Sequence, residues 1–229
     1  MSQNGKSYES VIAFFDHVYR QYERYWWRRE NRYSTDPADH AESLITSHLL
    51  HALKSRKPGR ALDVGAGEGT DAIRLALLGY EVDAIEGSSI GAEKTECFAR
   101  QVGVRLNVIN MDVNDFLPSE VYDVVVCNGI LHYINDQADV IQRLQDATAP
   151  HGINAVSLWT PRTPVPECHQ VVETYIDTST EREDWTATRL YKSWRKIGIW
   201  EEKNKRETGH PGFGPHSHSF LKFIAEWQG

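Results

Sequence analysis

A chain of 229 residues has room for one α/β domain with an appendage and too little for two full domains. A formal net charge of −7 argues against a general affinity for nucleic-acid backbones and for a soluble protein. Three cysteines, Cys97, Cys127 and Cys168, stand apart from one another and fit neither a disulfide framework nor a C-x-x-C metal site, so a reducing cytoplasm is expected. No apolar run approaches the roughly 20 residues of a membrane span, so neither export nor membrane anchoring is expected.

From Ser7 to about Arg29 the apolar residues Val11, Phe15, Val18, Tyr22 and Tyr25 recur at helical spacing, which predicts one amphipathic helix. Its second half, with Tyr25, Trp26 and Trp27 in succession, cannot keep every ring on one face. Asp36-Pro37 reads as an N-cap followed by proline at the first helical position, opening a second helix that runs to about Lys54. His40, His48 and His51 read as surface or packing residues of that helix. Lys57-Pro58-Gly59 closes the segment, giving a helical cap over residues 1–57 and a main domain over residues 58–229.

The main domain opens on Arg60-Ala61-Leu62-Asp63-Val64-Gly65-Ala66-Gly67-Glu68-Gly69-Thr70, an apolar strand entering a glycine-rich turn and then a helix that begins at Asp71. Glycines here allow positive φ and a close approach of backbone to ligand, as in a nucleotide cradle. Thr70 stands where the dinucleotide fingerprint places its third glycine, which turns the reading away from NAD. The next strand ends at Glu86, followed by Gly87 and Ser88. An acid about 20 residues past the glycines is placed to accept both hydroxyls of a ribose. After a helix closed by Gly103 and a third strand, Asp112 lies where an adenine amino group would sit, with Met111 or Val113 against the ring. Tyr122 to Cys127 is almost continuously apolar, as a central parallel strand should be. It delivers Asn128, His132 and Tyr133 to the same crevice, where His132 is a candidate base, orienting donor or packing residue.

Helix Asp136 to Ala149 and strand Ile153 to Trp159 follow. The proline-bearing loop from Thr160 to Asp184 is long enough to suggest a functional role. Thr186 to Ile197 reads as a helix, with two strands, Gly198 to Lys203 and Ser217 to Trp227, after it. His210, His216 and His218 lie close in sequence, but no carboxylate or cysteine has a recognisable ligand spacing, so no metal site is expected.

The residues Gly59-Arg60-Ala61-Leu62-Asp63-Val64-Gly65, Leu78-Gly79-Tyr80-Glu81-Val82-Asp83-Ala84, Asp112-Val113-Asn114 and Tyr122-Asp123 resemble the class I S-adenosylmethionine (SAM) dependent methyltransferases, closest to the small tellurite-resistance-type enzymes. The resemblance implies a Rossmann-like fold with a seven-stranded sheet, order 3-2-1-4-5-7-6 and strand seven antiparallel. It also implies SAM bound by Asp63, Gly65, Ala66, Gly67, Gly69, Asp71, Glu86, Gly87, Ser88, Asp112, Val113 and Cys127. Trp26, Trp27 and Tyr33 are expected to close over the sulfonium, whose positive charge aromatic faces attract. Asn128, His132, Tyr133 and Tyr25 are the expected groups at the reacting carbon. The implied reaction is methyl transfer to a small molecule. Two alternatives stand beside it: a cyclase similar to azetidine-2-carboxylate synthases, in which the SAM amine attacks its own γ-carbon and expels methylthioadenosine, and a non-catalytic SAM-binding protein.

Overall fold

The computed structural model describes residues 10–26, 31–40, 42–211 and 213–229. Seven strands form one sheet in the order β3-β2-β1-β4-β5-β7-β6. They are β1 (Arg60–Val64), β2 (Glu81–Glu86), β3 (Asn107–Asn110), β4 (Tyr122–Asn128), β5 (Thr148–Trp159), β6 (Arg195–Glu207) and β7 (His216–Glu226). The first five pair in parallel, and β7 runs antiparallel to both β5 and β6. This is the order and direction implied by the family resemblance. Alternation along β4 explains why both sheet faces are covered: Val125 and Cys127 enter one apolar core, while Val124 and Val126 enter the other.

Six α-helices accompany the sheet among the described residues: α1 (Val11–Gln21), α2 (Ser47–Leu53), α3 (Thr70–Leu77), α4 (Ser89–Val102), α5 (Gln137–Asp146) and α6 (Thr186–Leu190). Side-chain oxygens of Ser10, Ser88 and Asp136 accept backbone N–H groups at the starts of α1, α4 and α5. Gly103, at φ 82°, ends α4 in the left-handed conformation as its sequence position predicts.

The two N-terminal helices are shorter than their patterns predict, and in both cases a buried carboxylate takes backbone groups that the helix would have used. The first helix stops at Gln21, with Tyr22 extended, and Tyr25 and Trp26 donate their N–H groups to Glu68 instead. The aromatic segment therefore lies against the cradle as irregular, bent chain. Trp27 lies outside the described residues. The stretch expected as one helix from Asp36 to Lys54 is a single 3₁₀ turn, Pro37–Asp39, capped by Asp36, then an irregular strap and α2. The strap forms because Asp71 accepts hydrogen bonds from Leu44 N at 3.1 Å and from the Ser43 hydroxyl. At the other end, α6 stops at Leu190 rather than Ile197, because from Arg195 onward the chain pairs with β7.

Candidate functional site

At the carboxyl ends of β1, β2 and β4 the chain encloses a cavity of about 370 Å³. Open parallel sheets place ligands at such strand ends. The turn after β1 forms its floor: Gly65 at φ 73° and Gly67 at φ 60° adopt the left-handed backbone that glycine alone takes at no steric cost. A Cβ at Gly65 would lie 2.3 Å from the Ile130 side chain, so the turn needs the missing side chain for packing as well as for conformation.

Glu86 braces this turn. One carboxylate oxygen accepts Gly67 N–H at 2.7 Å and the other accepts Ser88 N–H at 2.8 Å, which joins the first turn to the start of α4. Burial pushes its pKa up to about 7, against the lowering effect of those two N–H groups. Asp63 lies deeper, accepts Ala72 N–H at 2.8 Å, and has its pKa raised by burial and then by the neighbouring Asp71. Asp112 caps the turn after β3 through Asn114 N–H at 2.8 Å, and Val113 follows it along the cavity wall.

Asp63, Gly65, Ala66, Gly67, Asp71, Glu86, Gly87, Asp112 and Val113 all line the cavity, as do Tyr25, Trp26, Asn128, His132 and Tyr133. Four expected contacts do not. Gly69 begins α3, where a Cβ would lie 2.8 Å from Thr95 Cγ2, so its role is the packing of α3 on α4. Ser88 caps α4 and donates its hydroxyl to Asp16 at 2.6 Å, fastening α1 to the cradle. Cys127 points into the core and is fully buried. Tyr33 packs against Ile73, Phe98 and Ala99 of α3 and α4, its hydroxyl accepting from Arg24 at 3.2 Å and donating to the Glu68 carbonyl at 3.4 Å.

Asn128 is engaged at both ends of its amide: Nδ2 donates to Asp71 and to the Glu42 carbonyl, each at 2.9 Å, and Oδ1 accepts the Ser157 hydroxyl at 2.5 Å. It brackets β4, β5 and the strap. His132 is buried and stacks on Trp159 with centroids 4.0 Å apart and planes 7° apart. Its Nδ1 accepts the Trp159 backbone N–H at 3.4 Å, and burial holds its pKa well below the usual imidazole range. A neutral ring accepting at Nδ1 carries its proton on Nε2 and is a donor there. Burial likewise raises the Tyr133 hydroxyl, so it stays a phenol, 3.3 Å from His169 Nδ1.

Other residues of the site are not legible from spacing. Glu68, between two glycines, turns inward and holds Tyr25, Trp26 and Lys94. Trp159 ends β5 against His132 and His218. The loop after β5 brings His169 on a 3₁₀ turn beside His210, His216 and His218, and the four rings converge. Glu207 supplies the carboxylate that the sequence spacing did not reveal, 3.4 Å from His210 Nε2 and 3.7 Å from His216 Nε2.

Residues 37–205 match the family described as "Methyltransferase domain". The chain belongs to that methyltransferase-domain family. Among curated proteins it is similar to the ubiquinone biosynthesis O-methyltransferase of Rickettsia canadensis, 27% identical over 138 residues, 58% of this chain and 57% of the relative. The chain thus spans a little over half of that relative's length. Its fold is similar to TehB from Haemophilus influenzae, with a TM-score of 0.63 at 18% identity over 78% of this chain and 61% of that one. It is also similar to the N-methyltransferase NodS from Bradyrhizobium japonicum, solved with S-adenosyl-l-homocysteine, with a TM-score of 0.60 at 14% identity over 93% and 99% of the two chains. The sheet has the class I fold that the glycine turn implies, and the cofactor expected of such a fold is SAM. The cradle fits that cofactor: a positive-φ glycine turn beside a buried acid at the end of β2 suits a ribose and an amino-acid tail. No helix among the described residues is long and apolar enough to cross a membrane.

Gly67→Val tests the cradle. A Cβ there would come 3.0 Å from the Tyr19 hydroxyl and 3.7 Å from Trp26, at a φ that L residues adopt at a cost of about 1–2 kcal/mol. SAM affinity is expected to fall by about tenfold or more in calorimetry while the melting transition of the sheet persists. A variant that binds SAM as the parent does would remove the turn from the site.

Proposed function

We propose that the protein transfers the methyl group of SAM to a small-molecule acceptor. One observation carries this reading. A continuous cavity joins the cradle at Gly65, Gly67, Glu86 and Asp112 to a chamber walled by Tyr133, Trp159, His132 and His169, so donor and acceptor would share one space. In this reading residues 1–57 act as a cap, residues 58–229 carry the chemistry, and Trp26 with Tyr25 covers the sulfonium. Bound SAM supplies an electrophilic methyl carbon. The chain's part is to hold the acceptor in line with it and to exclude water, a positioning effect of up to about 7–11 kcal/mol.

The protonation states narrow the acceptor. His132 is neutral with its proton on Nε2, and Tyr133 remains a phenol, so both donate hydrogen bonds and neither is set to remove a proton. They suit an acceptor that arrives with its lone pair free, such as a soft anion or a neutral amine. Asn128, Tyr133 and His132 then orient the acceptor or its surroundings.

The second reading, a SAM cyclase, draws support from the size of the space. A cavity of about 370 Å³ lies toward the small end of the roughly 300–1,000 Å³ typical of ligand pockets, and the buried Tyr25 closes one side. Incubating the pure protein with SAM alone and following products by mass spectrometry separates the two. Intact SAM, consumed only when a small acceptor is added, is the expected result. Methylthioadenosine with a cyclic imino acid would replace methyl transfer by cyclisation, and binding without turnover over a broad acceptor panel would favour the non-catalytic reading.

Trp26 provides a further check of the cap. Its indole N–H donates to Tyr19 at 2.8 Å, which fixes the ring beside the glycine turn. If the ring faces the sulfonium, Trp26→Leu is expected to reduce the preference for SAM over its neutral demethylated product by about 0.5–2 kcal/mol. An unchanged ratio of the two affinities would make Trp26 a packing residue.

A further inference from the structure

Four imidazoles converge at the chamber end of the cavity, from three places in the chain. His169 comes from the loop after β5 and His210 from the β6–β7 connection, while His216 and His218 stand two apart on β7 and so share one face of the strand. One ring nitrogen from each lies within 4.8 Å of the others. The outer hydrogen bonds of two rings are what a ligand set needs. His216 Nδ1 donates to the Gly214 carbonyl at 2.9 Å, so its lone pair is on Nε2. His169 Nδ1 is paired with the Tyr133 hydroxyl at 3.3 Å. In both rings the remaining Nε2 is buried and makes no hydrogen bond. An imidazole fixed at one nitrogen by a carbonyl or hydroxyl, with the other nitrogen left over, is the usual arrangement around a protein-bound metal. Left empty, two buried ring nitrogens without a hydrogen bond are a cost to the fold with no return. The Glu207 carboxylate is 3.4 Å from His210 Nε2 and 3.7 Å from His216 Nε2, close enough to join the set as an anionic ligand.

We propose that His169, His210, His216 and His218, with Glu207, bind a divalent first-row transition-metal ion that anchors the acceptor through one of its heteroatoms. Neutral imidazole with one carboxylate suits ions of the zinc, iron, nickel and copper type and is a poor set for magnesium or calcium. At zinc–nitrogen bonds of about 2.0–2.1 Å, tetrahedral ligand nitrogens stand about 3.4 Å apart. The cluster closes on an ion by inward ring shifts on the order of 1 Å. His169, His210, His218 and Glu207 also line the cavity that holds the cradle, so an open coordination position is reachable by a small molecule. The anchoring role rests on the methyl-transfer reading above; the metal site itself does not.

The test uses the full chain, stripped with a chelator and then titrated with Zn²⁺ by calorimetry and with Co²⁺ by visible absorption, with SAM binding measured on the same samples. The expected result is one ion per chain and the Co²⁺ spectrum of a nitrogen-rich, four- or five-coordinate site. His210→Ala and His216→Ala, at half-buried positions, are expected to weaken binding about tenfold or more, and in His216→Ala, whose side chain does not line the cavity, SAM affinity stays within about twofold. His169→Ala repeats the test from another part of the chain. The proposal is overturned if SAM-competent parent protein takes up neither ion at micromolar concentration, or if it takes them up equally well in His210→Ala and His216→Ala, which would assign the binding to other histidines. If the ion binds and SAM does not, the methyl-transfer reading fails and the metal site stands. If the ion binds and removing it leaves the KM for every accepted substrate unchanged, the anchoring role is overturned.

Discussion

Glu86→Ala is expected to lower SAM affinity by about two to four orders of magnitude. The magnitude follows from two ribose hydroxyls losing a charged acceptor, each hydrogen bond to a charged group being worth about 1.5–3 kcal/mol. The same carboxylate holds Gly67 N–H and Ser88 N–H at 2.7 and 2.8 Å, so its loss also loosens the turn on which the cofactor would rest. pH distinguishes a ribose acceptor from a brace. With its pKa raised from 4.5 to about 7 by burial, Glu86 binds a proton in the folded chain across a range where the unfolded chain has already lost it. Stability from this group is therefore fully present below about pH 4.5 and falls as pH rises toward 7, by about 3 kcal/mol at 1.36 kcal/mol per unit. Hydrogen bonds donated by a ribose favour the charged carboxylate, so SAM binding should expel a proton near pH 6 and strengthen toward pH 8. Calorimetry in two buffers of different ionisation enthalpy measures that proton. Its absence in the parent, or its persistence in Glu86→Gln, would leave Glu86 as a brace only.

How much the sequence disclosed depended on how local the deciding physics is. The strands were legible because most announce themselves, β4 as a continuous apolar run and the turns after β1 and β2 by their glycines and acid in a fixed order, whereas the order of the sheet came from the family resemblance. Helix ends were legible where a neighbour in sequence caps them, as Ser88 and Gly103 do for α4. They were not legible where a distant carboxylate competes for the backbone. Nothing near Tyr22 says that Glu68 will take the next N–H groups, and nothing near Leu44 says that Asp71 will. Placement of site residues follows the same division. Gly67, Glu86 and Asp112 line the cavity because strand ends put them there, whereas Ser88 and Cys127, one residue from the lining Gly87 and Asn128, are turned away by a helix cap and by strand alternation. His169 reaches the other histidines only after β5 and β7 have paired and the proline loop has folded back, so no spacing rule could join it to them.

Removing the Glu68 carboxylate should detach the aromatic segment from the cradle with little effect on the sheet. Glu68 is 4% exposed, yet its two oxygens accept Tyr25 N–H at 2.9 and 3.0 Å, Trp26 N–H at 2.9 Å and the Lys94 ammonium at 2.9 Å. Lys94 also donates to the Tyr22 carbonyl and lies 5.5 Å from the Tyr19 ring, so both charges of the pair are committed to the same segment. Truncating one partner of a buried pair costs about 3–5 kcal/mol, because the other charge stays buried without it. Here the groups left unsatisfied are two N–H groups of the segment and the lysine beneath it. The least costly response is local: residues 22–26 can lift and hydrate, whereas α4 keeps its own backbone bonds and the sheet keeps all of its pairings. Hydrogen exchange at Tyr25 and Trp26 in Glu68→Ala is therefore expected to accelerate by about two to three orders of magnitude, at 1.4 kcal/mol per tenfold. Exchange at β1 and β4 should stay near that of the parent. Glu68→Gln keeps an acceptor but loses the charge and should fall between them. Lys94→Met provides the control from the other side, since it leaves the carboxylate buried without its cation and should open the same segment. If Tyr25 and Trp26 exchange as slowly in Glu68→Ala as in the parent, the segment is held by its ring contacts alone, and Glu68 is not the latch that closes the cap.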